Sequence, residues 1–301
     1  MSVFVAGALH LDVIVTAPHL PRRDETVVGQ GVDYRIGGKG GNQAIAAAKM
    51  GAPTAMAGCV GDDAFGQRLL DALSAANVDH HQVMQLPGAS GMSVAIVEAT
   101  GEYGAVIVSG VNQTVDAAKI EIPDTARIVL LQNEIPGAAN LALATKARAA
   151  GRTVILNAAP ARPPQPGLLA QIDLLIVNRV EAADLLGQTD ANLDPETAAA
   201  QLAAFGPAVI LTLGADGLVL HENGQTRQMP AHKVQAISSH GAGDAFIGAL
   251  AARLDHGATL TEAACFAQAA AALHVASPVS ERDTITAETV EIFLNSHSGR
   301  P

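Results

Sequence analysis

Short runs rich in Val, Ile and Leu alternate along the chain with longer, alanine-rich stretches whose apolar residues have helical spacing. Nearly continuous apolar runs are typical of strands buried on both faces, and their alternation with helices is typical of a parallel sheet that helices cover on both sides. The sequence therefore predicts an α/β fold. The predicted strands span residues 3–8, 54–59, 127–131, 153–156, 174–177 and 208–212. The predicted helices span residues 41–50, 64–76, 136–150, 181–186, 195–205, 242–256, 261–276 and 287–295.

Two regions break this rhythm, residues 13–36 and 92–108, where apolar and polar residues alternate. Such alternation is typical of a half-exposed antiparallel sheet. We predict one domain, residues 1–301, in which these two regions form a small lid over a site at the carboxyl edge of the main sheet. Pairing of the lid with a second copy would account for its exposed apolar positions, so a homodimer is expected. Those positions are Val27, Val28, Val106 and Ile107.

Composition and charge exclude several classes of protein. Hydrophobic residues make up 49% of the 301 residues and charged residues 16%, which is typical of a compact chain rather than a disordered one. The formal net charge of −11 repels nucleic acids and anionic membrane surfaces. No apolar stretch reaches the roughly 18 residues that a membrane span needs, and the apolar N-terminus has no basic leader. We expect a cytoplasmic protein without nucleic-acid or membrane partners.

Zinc, disulfide and simple hydrolase chemistry find no support in the sequence. Cys59 and Cys265 are too few for a disulfide framework or a four-cysteine zinc site and are expected to be buried. The ten histidines form no H-E-x-x-H motif, and His80 and His81 lie in a polar, loop-like stretch. A G-x-S-x-G nucleophile elbow is also missing.

A glycine-rich segment, residues 37–42, leads directly into a predicted helix. Free backbone N–H groups at a helix N-terminus bind polar and anionic groups, and glycines let a ligand approach the backbone closely. The segment departs from the phosphate-binding loop, because Gly40 follows Lys39 where Ser or Thr should stand, and G-x-G-x-x-G is not completed. A tight turn between a strand and a helix is the alternative.

A second turn of small residues, Gly241, Ala242 and Gly243, precedes another predicted helix. Their backbone N–H groups are suited to stabilise negative charge on a transferring group, and Asp244, in the first helical turn, is placed to accept a proton. An Asp at this position also complements the helix dipole, so an ordinary helix start is the alternative. Neither glycine turn decides the function by itself.

Polar side chains follow several predicted strands at the edge where open α/β sheets bind ligands. Asn178 and Glu181 follow residues 174–177. A carboxylate there can hold Mg²⁺ through water, because Mg²⁺ keeps much of its hydration shell. A capping pair at the helix start is the alternative. Asp12 and Glu134 also follow predicted strands, and convergence on the same edge competes with an ordinary surface position.

Taken together and in this order, these segments resemble the ribokinase-like (PfkB) carbohydrate kinase family over nearly the whole chain. The order makes the match specific. The matching segments are residues 37–42, 44–48 and 58–66 for the first family signature, Asn178 and Glu181 for the Mg²⁺ and phosphate motif, 212–217 for the nucleotide-binding loop, and 241–246 for the second signature.

The resemblance implies a ribokinase-like three-layer α/β/α main domain with a mostly parallel sheet and a small β-sheet lid. It also implies a kinase that needs ATP and Mg²⁺ and moves the γ-phosphoryl group of ATP to a sugar hydroxymethyl group. By resemblance, Asp244 is the general base, and Gly241, Ala242 and Gly243 form the anion hole. Two helix N-termini suit this reaction, because phosphoryl transfer depends mainly on alignment and on stabilisation of charge.

The same resemblance assigns the binding residues. The positions matching those that hold the sugar are His10, Asp12, Gly38, Lys39, Asn42, Glu134 and Asp244. The positions matching those that hold the nucleotide are Asn178, Thr212, Gly214, Asp216, Gly217, Gly243 and Gln268. Glu181 matches the Mg²⁺ position, where the ion is expected to be held through water.

Two sites depart from the family pattern. His10 stands where ribokinases usually have Asn, and imidazole spreads the donor and acceptor of one amide across a wider ring, so a sugar other than ribose is an open alternative. Ser238 and Ser239 replace a common Asp-Thr pair whose Asp belongs to a monovalent-cation site. Residues 276–280 lack the glycine-containing turn that completes that site. We therefore predict little response of activity when K⁺ replaces Na⁺.

We expect a kinase of a small unphosphorylated sugar, such as a pentose, because few cationic residues are placed for a second phosphate. Arg22, Arg23 and Arg35 in the lid keep a sugar phosphate as an alternative. A nucleoside kinase of the same family is another, weakly disfavoured by the 3% aromatic content. A non-catalytic sugar or nucleotide sensor is a third, although a sensor does not need the proton acceptor Asp244. A dinucleotide-dependent oxidoreductase fits only the α/β pattern.

Overall fold

The alternation of apolar runs and alanine-rich stretches is realised as alternating strands and helices. The computed structural model describes residues 2–98 and 103–297, which form thirteen strands and eight α-helices. The strands are β1 (Val3–Ala6), β2 (His10–Ala17), β3 (Gly31–Gly37), β4 (Thr54–Gly61), β5 (Asp79–Leu86), β6 (Gly91–Glu98), β7 (Tyr103–Val108), β8 (Ile128–Gln132), β9 (Thr153–Asn157), β10 (Leu174–Asn178), β11 (Ala208–Thr212), β12 (Leu218–Glu222) and β13 (Gln225–Met229). The helices are α1 (Lys39–Lys49), α2 (Ala64–Ala75), α3 (Gly137–Ala149), α4 (Arg179–Leu186), α5 (Pro195–Ala203), α6 (Ala242–Asp255), α7 (Leu260–Ala276) and α8 (Ala287–His297).

The main sheet has nine strands in the order β13-β12-β11-β10-β9-β8-β1-β4-β5. From β11 to β5 every neighbouring pair is parallel, and Val3 of β1 lies opposite both Ile128 of β8 and Thr54 of β4. Strands β12 and β13 add an antiparallel hairpin beyond β11. This mostly parallel sheet confirms the predicted α/β class.

Helices cover both faces of the main sheet, because successive side chains of a strand point to opposite faces. In β1, Val3 and Val5 are buried among residues of α1, α2, α6, α7 and α8, whereas Phe4 and Ala6 are buried among residues of α3, α4 and α5. Each face of the sheet therefore has its own apolar core, and the main domain has three layers.

A separate four-stranded sheet, in the order β3-β2-β6-β7, forms where the lid is predicted. The pairs β2–β3 and β6–β7 are antiparallel, but the central pair β2–β6 is parallel. The prediction of a fully antiparallel sheet is wrong at this pair, because β2 and β6 extend from β1 and β5, which run in the same direction in the main sheet. Residues 99–102, inside the predicted range 92–108, lie outside the described residues.

Several apolar side chains of the small sheet and of its β2–β3 loop are exposed. Val28, Val106 and Ile107 are 85%, 66% and 65% exposed, as predicted, whereas Val27 is half-buried. Tyr34 of β3 contacts the main domain, since the guanidinium of Arg68 on α2 lies 4.6 Å from the centre of its ring. The small sheet thus has a connection to α2 and exposed apolar side chains.

Two helices begin earlier than the sequence predicts. Helix α1 starts at Lys39 rather than at residue 41, because Gly38 already forms its N-cap. Helix α4 starts at Arg179 rather than at residue 181, because Asn178 caps it. Both differences lie at the edge of the sheet where the predicted site residues are found.

The strands at the two edges of the main sheet, β5 and the β12–β13 hairpin, are missing from the prediction, because edge strands carry polar residues that interrupt an apolar run. His80 and His81, expected in a loop, lie in β5. Cys59 is buried as expected, but Cys265 on α7 is exposed, so the expectation for Cys265 is wrong. Among the described residues, no helix combines the length and apolarity needed to cross a membrane.

Candidate active site

The carboxyl ends of four parallel strands carry polar residues at one edge of the main sheet. Gln132 and Asn157, the last residues of β8 and β9, lie opposite each other. Asn178 and Thr212, the last residues of β10 and β11, do the same. The N-termini of α1 and α6 meet at this edge, because side chains of α1 donate hydrogen bonds both to a carboxylate of α6 and to Asn157. The parallel register thus creates a cluster of polar groups, as expected for a binding site in an open α/β sheet.

Asp244, in the first turn of α6, accepts hydrogen bonds on both carboxylate oxygens from amide side chains of α1. Asn42 Nδ2 donates to Oδ2 at 3.1 Å, and Gln43 Nε2 donates to Oδ1 at 2.9 Å. Each carboxylate oxygen can accept a further hydrogen bond. Asp244 is therefore fixed in orientation and still able to accept a proton from a hydroxyl group. The structure brings together Asn42 and Asp244, two of the predicted site residues.

Buried amides behind Asp244 are missing from the sequence-based prediction. Gln43 is fully buried, and its Nε2 also donates to Asn157 Oδ1 at 3.1 Å, while its Oε1 accepts from Gln132 Nε2 at 2.8 Å. Because buried polar groups need partners, these bonds connect Asp244 firmly to the ends of β8 and β9. The available signal is a polar residue that ends an apolar strand, as Gln132 and Asn157 do.

The turn before α6 has an open space beside it. Gly241 forms the N-cap with φ +78°, a left-handed conformation that favours glycine. The N–H of Ala242 donates to the Ser239 carbonyl at 3.2 Å, so one of the three predicted anion-hole donors is already engaged. Within residues 2–98 and 103–297, the N–H groups of Gly243 and Asp244 have no protein acceptor. A Cβ on Gly243 would meet no atom within 4 Å, so this turn has room for a ligand.

The glycine turn before α1 is filled by the protein itself. Gly38 has φ +80°, and a Cβ there would lie 2.7 Å from backbone atoms of Ala8 and His10. A Cβ on Gly40 would lie 2.7 Å from the carbonyl carbon of Gly7. Glycine is therefore required here because the link between β1 and β2 packs directly against the start of α1.

Glu134 occupies the N-terminus of α1. Its Oε2 accepts the N–H of Lys39 at 2.7 Å, and the N–H of Gly41 donates to the Ala8 carbonyl at 3.1 Å. The expectation of free N–H groups at this turn is wrong for Lys39 and Gly41, because the protein supplies acceptors to both. A carboxylate at a helix N-terminus is stabilised by the helix dipole.

Burial raises the pKa of the Glu134 carboxyl to about 7. The hydrogen bond and the charge of Lys39 lower this pKa, whereas the charges of Asp244 and Asp12 raise it. The charges of Asp12 and Asp244 therefore act on the Glu134 carboxyl. Glu134 is the member of the group that changes its charge near neutral pH.

The small sheet supplies His10 and Asp12 to the site. Asp12 lies inside β2, so the expectation that it follows a strand of the main sheet is wrong. Its Oδ1 accepts from Ser93 Oγ at 2.5 Å, and its Oδ2 lies 3.9 Å from Nε2 of His240. His10 is 4% exposed, burial lowers its pKa, and its Nε2 has no hydrogen-bond partner in the described part of the chain. A buried ring nitrogen without a partner is uncommon, because buried polar groups are generally hydrogen-bonded.

Asn178 and Glu181 form a reciprocal cap at the start of α4. Asn178 Oδ1 accepts from the Glu181 N–H at 2.9 Å, and Glu181 Oε2 accepts from the Asn178 N–H at 2.8 Å. The capping alternative is thus present. Burial raises the pKa of the Glu181 carboxyl, whereas the hydrogen bond from the Asn178 N–H and the charge of Lys39 lower it.

The donor set at α4 suits Mg²⁺ only with further oxygen ligands. Carboxylate and amide oxygens are the hard donors that Mg²⁺ prefers, and Glu181 and Asn178 supply both. No group of three or more His, Cys, Asp or Glu side chains that could hold a metal occurs in residues 2–98 and 103–297. The residues present therefore fit an ion that is held mainly by water and phosphate oxygens.

The predicted nucleotide-binding residues of β11 and its following turn lie on the same edge. Thr212 ends β11 beside Asn178, and its Oγ1 donates to the Val177 carbonyl at 3.4 Å. Gly214 and Asp216 bound a short 3₁₀ turn and are exposed. This turn leaves polar backbone and side-chain groups facing solvent next to the strand end.

Gln268 approaches that turn from α7. Its Nε2 donates to the carbonyl oxygens of Met229 and Pro230 at 3.3 and 3.2 Å. Gly217, with φ +97°, packs against the Met229 carbonyl so closely that a Cβ would collide with it. Gln268 and Gly217 therefore contact the same segment, whereas the Gln268 amide makes no hydrogen bond to the Asp244 cluster in the described structure.

The segment before α6 does not fit a monovalent metal ion. Ser238 supplies a hydroxyl group and no carboxylate. The carbonyl oxygens of Ser238 and His240 accept hydrogen bonds from the guanidinium of Arg282, each at 2.9 Å. A metal ion would have to compete with this guanidinium for the same oxygens, so no step of the reaction is assigned to one.

Comparison with known proteins agrees with this geometry. Residues 1–286 match the sequence model of the pfkB family carbohydrate kinase. The chain belongs to this family. As a pfkB carbohydrate kinase, the protein is an enzyme of the phosphotransferase class, which confirms the predicted family, fold and kinase activity.

Ribokinases are among its similar relatives. This pfkB kinase is 35% identical to the ribokinase of Schizosaccharomyces pombe over 293 residues, 91% of this chain and 92% of that protein. It is 31% identical to the ribokinase of Bacillus subtilis over 299 residues, 98% and 99% of the two chains. The structure of Arabidopsis thaliana ribokinase complexed with ribose and ATP matches with a TM-score of 0.90 and 29% identity, covering 97% of this chain and 98% of that one.

Proposed function

We propose that the chain transfers the γ-phosphoryl group of ATP to the hydroxymethyl group of an unphosphorylated pentose, with ribose as the first candidate. The position of Asp244 carries the proposal. Its carboxylate, held by Asn42 and Gln43, lies in the same helical turn as the open N–H groups of Gly243 and Asp244. Transfer of a phosphoryl group to a hydroxyl group needs a proton acceptor next to an anion-binding site.

In the proposed reaction, Asp244 accepts the proton of the sugar hydroxyl group as its oxygen bonds to the γ-phosphorus. The bond between this phosphorus and the bridging oxygen breaks, and ADP leaves with that electron pair. The N–H groups at the start of α6 stabilise the negative charge on the transferring phosphoryl oxygens, helped by the helix dipole. A positioned general base of this kind contributes about 10²- to 10⁴-fold to the rate.

The proposed sugar site lies between the small sheet and the start of α1. Carboxylate oxygens accept hydrogen bonds from sugar hydroxyl groups, and the unpartnered Nε2 of His10 offers one more polar contact. The acidic character of the site disfavours a substrate that already carries a phosphate. The proposed contacts are His10, Asp12, Gly38, Lys39, Asn42, Glu134 and Asp244.

Of the three lid arginines that would support a sugar phosphate, only Arg35 is among the residues that line the cavity beside Asp244. Arg22 and Arg23 are exposed in the loop between β2 and β3, and the Arg35 guanidinium bonds Asp33 at 2.6 Å. Because Arg35 is already paired with Asp33, and Arg22 and Arg23 are exposed to solvent, the unphosphorylated sugar is the first candidate.

We propose that ATP binds along the ends of β10 and β11, with its γ-phosphate toward Gly243. The proposed nucleotide contacts are Asn178, Thr212, Gly214, Asp216, Gly217, Gly243 and Gln268. Glu181 would hold Mg²⁺ through water, and the ion, when bound, neutralises phosphate charge. The position of Gln268 against Met229 and Pro230 supports a role for it in shaping the nucleotide site.

The small sheet is proposed to act as the lid of a single domain and as the contact surface of a homodimer. The exposed apolar side chains of Val28, Val106 and Ile107 support such a contact, because burial of apolar area drives association. A cytoplasmic location, where ATP is available, stays a prediction.

The test is ATP consumption with Mg²⁺ on a panel of pentoses, deoxy-sugars, ketohexoses, sugar phosphates and nucleosides, with Asp244→Asn as the control. We expect turnover on one unphosphorylated sugar and its loss in the control. Preferred turnover of a nucleoside would replace the sugar in the proposal. Binding of sugar or nucleotide without any turnover would instead indicate a sensor.

A further inference from the structure

The guanidinium of Arg282 lies among backbone carbonyl oxygens of two loops. Arg282 belongs to the short 3₁₀ helix Val279–Thr284. Its Nη2 donates to the Ser238 carbonyl and its Nη1 to the His240 carbonyl, each at 2.9 Å, and its Nε donates to the Ser277 carbonyl at 3.4 Å. One cation thus joins the segment before α6 to the segment after α7.

This arrangement differs from an ion pair between side chains. No carboxylate lies within ion-pair distance of Arg282 in residues 2–98 and 103–297. The positive charge is balanced only by carbonyl dipoles, as a metal ion is in a site built of backbone oxygens. Unlike a metal ion, a guanidinium is covalently attached and stays protonated at any physiological pH.

The carbonyl groups that Arg282 holds belong to the segment that leads into the open turn. His240 directly precedes Gly241, the N-cap of α6. The same segment is held to the end of α7 by neutral bonds, from His274 Nε2 to the His240 carbonyl and from the Ser238 N–H to the Val275 carbonyl. Arg282 therefore adds a permanent positive charge to this segment, whose other charged neighbour is the Asp12 carboxylate, 3.9 Å from Nε2 of His240.

Arg282 and Asp244 also line one cavity of about 170 Å³, together with His240 and Gly241. A positive charge in this cavity acts on the region where the proposed reaction places the transferring phosphoryl group, because charges interact more strongly where water is partly excluded. Arg282 is thus placed both to order the turn and to favour negative charge in front of it.

We propose that Arg282 is a built-in cation that replaces a monovalent metal ion, fixing the turn before α6 and making the kinase independent of K⁺. This inference rests on the proposed function of that turn. Arg282 touches neither the sugar nor the phosphates in the proposal, so it is a positioning residue.

The first experiment compares the wild-type kinase in K⁺, Na⁺ and tetramethylammonium buffers. We expect kcat to change less than about twofold among them, since the guanidinium already supplies the cation. A requirement for K⁺ in the wild-type protein would overturn the proposal, and this measurement needs no variant.

The second experiment uses Arg282→Ala. This substitution leaves in place Lys49 and Asp283, whose ion pair at 2.6 Å holds the same 3₁₀ helix in the wild-type protein. We expect kcat to fall about tenfold or more, with a smaller change in the KM of the sugar, because charge-assisted hydrogen bonds to the turn are lost. Millimolar guanidinium ion or K⁺ should restore part of kcat, and Arg282→Lys should retain more activity than Arg282→Ala.

The matched control is Arg253→Ala on α6, where the arginine bonds Glu291 at 2.7 Å and lies over the ring of Phe266. Its kcat should stay near the wild-type value. Wild-type kcat in Arg282→Ala would overturn the proposal. The proposal would also be overturned if kcat fell equally in Arg282→Ala and Arg282→Lys and neither guanidinium nor K⁺ restored it. Arg282 would then have only a structural role.

A thermal-unfolding measurement separates this inference from the proposed activity. Millimolar K⁺ or guanidinium should raise the Tm of Arg282→Ala and leave the Tm of the wild-type protein unchanged. This result would support the built-in cation even if no sugar on the panel is phosphorylated. If these cations changed the Tm of Arg282→Ala and of the wild-type protein equally, the proposal of a built-in cation would be overturned, whether or not the protein phosphorylates a sugar.

Discussion

The two glycine-rich turns begin helices at the same edge of the main sheet, yet they differ in what lies beside them. At the turn before α1, Gly38 and Gly40 are in close contact with neighbouring backbone, and the Glu134 carboxylate accepts a hydrogen bond from the first helical N–H group. At the turn before α6, a Cβ on Gly243 would meet nothing, and two N–H groups have no protein acceptor among the described residues. The first turn contains its own anion, and the second leaves a place for one.

This difference shows that glycines at a helix start can be required by packing or can leave space for a ligand. Glycine at the first turn serves packing, and the helix that follows carries Asn42 and Gln43 to Asp244. A Cβ on Gly243 would meet no atom of the described residues within 4 Å, so packing does not require glycine at this position. In the proposed reaction, the closed turn positions side chains and the open turn would bind the transferring phosphoryl group.

The largest expected effect comes from Asp244→Asn, which tests whether the open turn is the reaction centre. We expect kcat to fall about 10²- to 10⁴-fold, because the amide cannot accept the proton. Steady-state kinetics give kcat, and calorimetric titration should show sugar and ATP binding within a few-fold of wild type. Near-normal turnover would remove Asp244 from its proposed role.

Gly40→Ala tests whether the first turn is closed by packing. The new methyl group would lie 2.7 Å from the Gly7 carbonyl carbon, so we expect the free energy of unfolding to fall by about 1–3 kcal/mol. Urea unfolding followed by circular dichroism measures this change. Wild-type stability of the variant would show that the turn is less tightly packed than the structure indicates.

Gly243→Ala is the matched substitution at the second turn. The methyl group has free space, so we expect the free energy of unfolding to change by less than about 0.5 kcal/mol. Because the methyl group would occupy the proposed phosphoryl site, kcat should fall about tenfold. If Gly243→Ala lost stability but kept its kcat, glycine at the second turn would serve packing rather than ligand binding.

A pH-dependent effect is expected for Glu134, the internal anion of the first turn. Its pKa of about 7 lies above the ordinary 4.5, so the folded protein binds this proton more tightly than the unfolded chain does. The free energy of unfolding should therefore fall as the pH rises from 4.5 to 7. Urea midpoints across this range should change less with pH in Glu134→Gln, and identical pH profiles would contradict the assignment.

Much of the fold and several site residues could be predicted from the sequence, because their signals are local. Buried parallel strands appear as apolar runs, and Asp244 stands out through the small residues before it. The parallel pairing of β2 with β6 could not be predicted, because it depends on which distant strands become neighbours. The edge strands could not be predicted either, because polar residues interrupt their apolar runs.

The partners of the site residues could not be predicted for the same reason. Gln43 is 201 residues from Asp244 in the chain, and Arg282 is 44 residues from Ser238. Hydrogen bonds over such separations depend on the tertiary fold and have no periodicity in the sequence. The sequence indicated that the monovalent-cation residues are altered, but the guanidinium that bonds the carbonyl oxygens became visible only in three dimensions.

The contact between Tyr34 and Arg68 has an optical consequence. The chain has two tyrosines and no tryptophan. Tyr34 lies on β3, and Tyr103 begins β7, so both tyrosines belong to the small sheet. Tyrosine emission of the unlabelled protein therefore originates from residues of this sheet. Any displacement that moves Tyr34 away from the Arg68 guanidinium would change the surroundings of a native fluorophore.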